Sequence, residues 1–359
     1  MHIVHISPTY FSPDSVVGGG EKYVQYMCKA LSVAGAKHGK SIRSTIISFG
    51  DKRQTMTLTE DTRLIVELGR PWDRESLHAD SVALMVDDAD IVFVHQCLTS
   101  FGLFIAAHAR RCGKMVIGMD HGGGEDEIVH RAEIVSQLFD FILVYSSFAA
   151  RALANLACEI KIARGPVDET YYFPKAFARD DKHTVALGRL LPHKGFDRII
   201  RALPDDFSLT IIGTRSDESY FKLLKSLSQG RQVCILENAD DAQVRRLLST
   251  CGVFVHASSH VDYRGRYYAK PELLGLAPLE ALACGTATFV SDAGSLPELE
   301  ILEGCKCFRS DAELAEMLGK FASSKDCFPR PDRIHEDVIA KFGLLQFGER
   351  VLGYLRGLQ

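Results

Sequence analysis

Short, continuous apolar runs alternate with stretches of helical spacing along nearly the whole chain. Runs such as Ile91–His95 (IVFVH), Met115–Met119 and Phe141–Tyr145 (FILVY) are rich in β-branched and aromatic residues without polar alternation. Strands of a parallel sheet, buried on both faces, read this way. His2–Ser7, Ile42–Ser48 and Leu64–Glu67 belong to the same series, and helical spacing fills Glu21–Ala34, Phe101–Arg111 and Phe148–Leu156. The rhythm breaks at RGPVDETYYFP (164–174) and the polar KAFARDDKH behind it, then restarts with Thr184–Leu187, Leu209–Gly213, Val233–Glu237, Val253–His256 and Thr288–Ser291. Two successive βα series predict an α/β protein of two doubly wound domains, 1–172 and 173–342, with a last helix over about 343–359. In such sheets ligands bind beyond the carboxyl ends of the strands, so residues just past each apolar run carry the chemistry.

At 359 residues the chain is long enough for two separate cores. A net charge of -4 gives no whole-protein attraction for nucleic acid, and none is expected as a partner. The ten cysteines are scattered without a CxxC pair, and Cys305-Lys-Cys307 alone is a weak metal signal, so free thiols in a reducing compartment are expected. MHIVHISPTY at the start alternates like a strand and lacks the basic opening and apolar run of a signal peptide. No apolar run reaches the length of a membrane span, and the expected location is cytoplasmic.

Four stretches carry candidate chemistry. In VGGGEK (17–22), Gly19 and Gly20 let backbone approach a ligand at a helix start; a plain strand-to-helix turn accounts for them equally well. In GRLLPHKG (188–195), Arg189 and Lys194 project from a strand-to-helix loop, where both could meet a diphosphate; alone they would read as a basic surface loop. In MDHGGGEDE (119–127), His121 follows a buried strand and could be a hydrogen-bond donor to substrate, a proton carrier, or a structural cap. The run PELLGLAPLEALACGTATFVSD (271–292) sets Glu272 and Glu280 around a turn of Leu274, Gly275 and Leu276, with Pro278 suited to the first turn of a helix over Leu279–Cys284. Asp88-Ala89-Asp90 has the spacing of a metal-binding acidic pair but precedes a strand, at the wrong end of a sheet for a site.

In combination these residues resemble glycosyltransferase family 4, the retaining enzymes of GT-B fold, over Met1 to about Glu300. The likeness rests on the Gly-rich first loop, His121, the GPVDETYYFP linker, GRLLPHKG, and the block from Glu272 through CGTATFVSDAGSLPE. It implies two Rossmann-like domains facing each other across a cleft, the first binding an acceptor and the second a nucleotide sugar. Arg189 and Lys194 would then hold the leaving diphosphate, Glu280 the ribose and Glu272 the sugar hydroxyls. His121 would serve the sugar near its anomeric carbon, and Gly19 and Gly20 the donor phosphates or the acceptor, while the base would meet backbone and loop contacts around Glu237, Asn238 and Ala239, which no motif decodes. No cofactor and no metal would be required. The donor would be a UDP-linked hexose, and the acceptor an unidentified hydroxyl on a glycan, lipid-linked or small molecule. Domain closure would bring His121 towards the donor and exclude water.

One departure stands out. HVDYRGRYYAKP separates Ser259 from Glu272 where the family keeps only a few residues, giving either a sugar-binding insertion or a disordered surface loop. Other readings of the whole are a GT-B sugar-nucleotide epimerase, or a sugar-nucleotide binding protein without turnover. Peripheral contact with the inner membrane face stays open, because Arg110, Arg111 and Lys114 cluster at the end of one apolar helix; a core-facing helix explains that pattern better. Oligomeric state is not encoded in any motif.

Overall fold

In the computed structural model, residues 1–8, 19–68, 79–122, 132–324 and 328–357 are described. Val17, Gly18 and the GGEDEIVH stretch (123–130) lie outside them, and so do the expectations placed there. The chain divides into two compact units, Met1–Pro166 with Leu344–Gln359, and Val167–Gly343.

The first unit is built on an eight-stranded sheet. Its strands are β1 (His2–Ile6), β2 (Arg43–Gly50), β3 (Gln54–Thr59), β4 (Thr62–Leu68), β5 (Ile91–His95), β6 (Met115–Met119), β7 (Phe141–Val144) and β8 (Ile160–Ile162), in the order β3-β4-β2-β1-β5-β6-β7-β8. Only β3 runs antiparallel to its neighbour, as the edge strand of a β3–β4 pair. Helices α1 (Gly19–Lys37), α2 (Ala79–Val86), α3 (Ser100–Arg111), α4 (Ala132–Leu138) and α5 (Ser147–Ala152) intervene. Strands β1, β5 and β7 are buried along their whole length, β1 despite His2 and His5 within it.

The second unit has a six-stranded parallel sheet in the order β11-β10-β9-β12-β13-β14: β9 (Asp180–Leu187), β10 (Ser208–Ile212), β11 (Gln232–Leu236), β12 (Cys251–His256), β13 (Ala287–Ser291) and β14 (Cys305–Phe308). Its helices are α6 (Phe196–Ala202), α7 (Glu218–Leu227), α8 (Asp241–Thr250), α9 (Leu276–Ala283), α10 (Asp311–Ser323) and α11 (Pro331–Phe342). The Cys305-Lys-Cys307 spacing is strand alternation, with Cys305 inside and Lys306 in solvent. The nine described cysteines are all free thiols.

The last helix, α12 (Leu344–Arg356), belongs to the first unit, where it lies along α1. Gly348 makes that approach possible: a Cβ there would sit 2.2 Å from the Ala30 carbonyl oxygen. Lys37 bonds Glu349 at 2.6 Å, and the Tyr354 hydroxyl donates to the Ile162 carbonyl. The division falls at 166/167, ahead of the expected 172/173, because Val167 donates to the Phe342 carbonyl and Arg245 of α8 stacks on the Tyr171 ring. Among the described residues no helix is long and apolar enough to cross a membrane. The buried face of α3 carries Phe101, Ile105 and Ala109, while Arg110 pairs with Asp140 and Lys114 bonds the carbonyls of Asp87 and Ala89.

Candidate active site

In the second unit the loop after β9 forms one 3-10 turn, Pro192–Lys194, closed by Gly195 at φ +67°. A Cβ on Gly195 would lie 2.0 Å from the Ala257 carbonyl oxygen, so only glycine lets this loop rest on the end of β12. Ser259 donates its N–H to the His193 carbonyl and fastens the two strand ends together. Lys194 then reaches Glu272, its Nζ 2.8 Å from Oε2, and His256 Nε2 lies 2.7 Å from that same oxygen. Ser258 Oγ contacts His256 Nε2 at 3.1 Å.

The Glu272 backbone is held as closely. Ser295 donates to its carbonyl, and Gly294, at φ +61°, has no room for a Cβ, which would meet that oxygen at 2.3 Å. Burial alone would push the Glu272 carboxyl up, but Lys194 and His256 outweigh it and hold the group well below the usual carboxylate range. Burial, reinforced by Lys194, brings His193 down to about 4. The hydrogen bonds from Lys194 and His256 both go to Glu272 Oε2, and Oε1 accepts none among the described residues.

Beyond Glu272 the chain turns at Gly275, φ +87°, and α9 starts at Leu276, three residues earlier than the sequence suggested. Leu276 and Ala277 therefore present the unpaired N–H groups of a helix start. Leu274 is buried beside the turn, and Glu280 is buried on α9 at 2% exposure. Arg179, in the stretch read as a polar linker, bonds the carbonyls of Cys251 and Cys284 and the Thr286 hydroxyl, pinning the far end of α9. Arg189 shares the loop of Lys194 but is exposed and pairs with no side chain among the described residues. Glu237 lies past β11 in a two-bond pair with Arg215, at 2.9 Å each, and Asn238 beside it is exposed.

The insertion is an ordered hairpin. Val261 bridges Tyr267, Tyr268 donates to the His260 carbonyl, and buried Asp262 accepts from the N–H groups of Arg264 and Arg266 and from the Tyr268 hydroxyl. His260 anchors its base, with Nδ1 2.9 Å from the Tyr268 carbonyl and Nε2 accepting from Gly294 N–H. Tyr268 packs on His193 and Tyr263 stacks on Tyr220, leaving Tyr267 exposed at 66%.

In the first unit His121 is half-buried just past β6 and belongs to a row of rings. Tyr145 OH contacts its Nδ1; His121 Nε2 is 2.8 Å from His95 Nδ1; His95 Nε2 is 3.2 Å from His5 Nδ1. Burial holds His5 and His121 at about 3 and His95 well below its ordinary value, so all three rings are neutral at pH 7. Gly20, in the first turn of α1, faces this row: a Cβ there would stand 3.7 Å from His121 Nδ1. Gly19 opens the same helix. Asp90 receives the His2 backbone N–H at the amino end of β5, the opposite end of the strand from His95. A concavity lined by Arg43, Arg53, Arg63, Glu60, Glu67 and Asp88 lies in this unit too, but it contains no residue of the ring row.

The sequence reading named Lys194, Glu272, Gly20 and His121 without pairing Lys194 with Glu272 or Gly20 with His121, pairs that the structure brings together. It missed His256, His193, His95, His5 and Tyr145. Two of those end a VFVH run, 92–95 and 253–256, which is a usable signal in a fold that binds at strand ends.

Residues 167–326 match the family described as glycosyl transferases group 1. No curated protein matches the sequence. Solved structures match along nearly the whole chain. A sucrose-phosphate synthase from Thermosynechococcus elongatus is 17% identical at a TM-score of 0.77, covering 99% of this chain and 98% of its own. Anabaena HepE in complex with UDP-glucose is 14% identical at 0.75, covering 99% and 100%. A Listeria monocytogenes protein assigned as a UDP-N-acetylglucosamine 2-epimerase is 13% identical at 0.60, covering 99% and 96%. These likenesses show the fold, GT-B.

Proposed function

We propose, from the glycosyl transferases group 1 domain carried by residues 167–326, that the protein is a retaining glycosyltransferase. It moves a hexose from a nucleoside-diphosphate sugar, UDP-linked, to a hydroxyl of a glycan, lipid-linked or small-molecule acceptor. The observation that carries this reading is the Lys194–Glu272–His256 cluster at the carboxyl ends of β9 and β12, inside the matched segment. HepE, of the same fold, is a UDP-glucose complex, which favours a uridine donor.

Departure of the nucleotide leaves negative charge on a diphosphate. Lys194, Arg189 and the N–H groups that open α9 are the cations and dipoles available to meet it, and on this reading no metal is needed. Glu272 Oε1 accepts from a sugar hydroxyl, while Oε2 keeps Lys194 and His256 in place. Glu280 serves the ribose, and Glu237 with Asn238 the base. The acceptor hydroxyl passes its proton to the departing phosphate, so the step needs no separate carboxylate base. The first unit takes the acceptor and the second the donor.

Nucleotide release, followed with UDP- and ADP-linked hexoses against a panel of hydroxyl acceptors, tests this reading. Acceptor-dependent release with an unchanged anomeric configuration in the product is expected. Interconversion of donor sugars without any acceptor would support an epimerase instead. Unaltered turnover in both Lys194→Ala and Glu272→Ala would remove the site assignment.

A further inference from the structure

The row of rings in the first unit has a property that no pair within it has. Each neutral imidazole carries one N–H and one lone pair, and the contacts His5–His95–His121–Tyr145 use both nitrogens of His95 and of His121. Fixing the proton on one ring therefore fixes it on all three, and only two arrangements exist. In one, Tyr145 donates to His121 Nδ1 and the donors run inward, leaving a buried N–H at His5 Nε2. In the other the donors run outward, from His5 to His95 to His121 to the Tyr145 hydroxyl, leaving only a lone pair at His5 Nε2.

His5 Nε2 is buried and has no partner among the described residues, since the ring lies stacked on Phe93. A stranded N–H is the rarer and costlier of the two orphans, so the outward arrangement is favoured. Protonation offers no escape from the choice, because burial keeps the three rings neutral. The residue after His95 adds a second sign of constraint: Gln96 adopts φ +55°, a left-handed conformation for a residue with a side chain.

We propose that His5 and His95 are positioning residues that lock His121 as its Nδ1–H tautomer, making it a fixed, neutral hydrogen-bond donor and not a proton carrier. The donor edge is the Nδ1 edge. It faces the Tyr145 hydroxyl, which accepts this N–H, and the side-chain-free Gly20, so a substrate oxygen arriving there would share or displace the Tyr145 contact and meet an N–H that is already oriented. This deepens the transferase reading and rests on it only in taking His121 as a substrate-contacting residue.

The test reads the tautomer directly, without substrate, from the ring nitrogen shifts of His121 in protein labelled with 15N-histidine. The wild-type protein is expected to show His121 protonated at Nδ1 alone. In His95→Phe the constraint is gone, and both tautomers should be populated. His5→Phe, which keeps a ring against Phe93, should loosen the tautomer in the same sense and serves if His95→Phe does not fold. Protonation at Nε2 in the wild-type protein, or an unchanged single tautomer in whichever variant folds, overturns the proposal. In turnover assays the variants should lose about tenfold in kcat with KM little altered, as expected for loss of one oriented donor. A loss confined to KM contradicts it. The nitrogen spectra stand whether or not glycosyl transfer is found, so the two readings fail separately.

Discussion

The strands Ile91–His95 and Cys251–His256 both end in VFVH, and each is the strand next to the first strand of its unit, where the strand order reverses. Their terminal histidines nevertheless enter opposite kinds of chemistry. His95 is sealed between two other imidazoles with no carboxylate in contact among the described residues, and burial keeps it uncharged. His256 shares Glu272 Oε2 with an ammonium group. The same strand end therefore supplies either a neutral hydrogen-bond path or a member of an ionic cluster, depending on what the neighbouring loops deliver. In the second unit the delivery depends on glycine: Gly195 and Gly294 admit two loops that bring Lys194 and Glu272 together. In the first unit rings from three adjacent parallel strands, β1, β5 and β6, meet without a charged partner among the described residues.

The sharpest way to break this contrast is Glu272→Ala, which leaves Lys194 and His256 facing each other without a carboxylate. Turnover should fall by about a hundredfold or more, with roughly 3 kcal/mol of stability lost. Glu272→Gln, which keeps the shape, should lose turnover with less loss of stability. Equal effects of the two on denaturant unfolding would mean that charge is not what holds the cluster. Next comes Gly195→Ala, where a left-handed conformation and the Ala257 carbonyl oppose the added carbon. A cost of about 3 kcal/mol is expected in thermal unfolding. Gly20→Ala, whose added carbon meets His121 only at ordinary contact distance, should stay within about 1 kcal/mol of the parent.

Acidification separates the two units by the pH at which stability is lost. His5 and His121 titrate near 3 in the folded protein, and His95 well below its ordinary value of 6.5. The unfolded chain binds those protons first, so the stability these rings contribute is complete above 6.5 and drains away as pH falls towards 3. The rate is about 1.4 kcal/mol per pH unit for each ring. Glu272 loses its contribution in the same direction but in a lower window, only below its ordinary value of 4.5, while His193 beside it, brought down to about 4, is one draining ring against three in the first unit. Between pH 6.5 and 4.5, amide exchange should accelerate more in β1, β5 and β6 than in β12 and β13. Identical acceleration in both sheets would erase the distinction. A small effect is also expected from Asp262→Ala, which removes the acceptor for two backbone N–H groups of the hairpin and the Tyr268 hydroxyl and should cost about 1 kcal/mol.

The two βα series were legible because buried parallel strands leave long apolar runs, and Lys194 and Glu272 because they stand in loops with glycine and proline around them. Short edge strands were not: β3, β8 and β14 carry too few apolar positions to rise above their surroundings. The ring row was invisible for a different reason. His5 sits in mid-strand and Tyr145 just past one, where an apolar context reads as core, and only the fold brings them to His121. The insertion reads from its composition as either order or disorder, although Asp262-Tyr-Arg-Gly265 places aspartate and glycine where a four-residue turn wants them. Its order follows from Asp262, which is buried and fully used.

The placement of α12 has a consequence for how the protein is made. The second unit is inserted, in chain order, before the helix that completes the first. As the polypeptide leaves the ribosome, Val167–Gly343 is finished and able to fold while α1 still lacks the surface that Gly348 and Phe347 will cover. The unit that begins first is thus the last to close, and until residues 344–356 emerge, Tyr23 on α1 has no Phe347 ring to pack against.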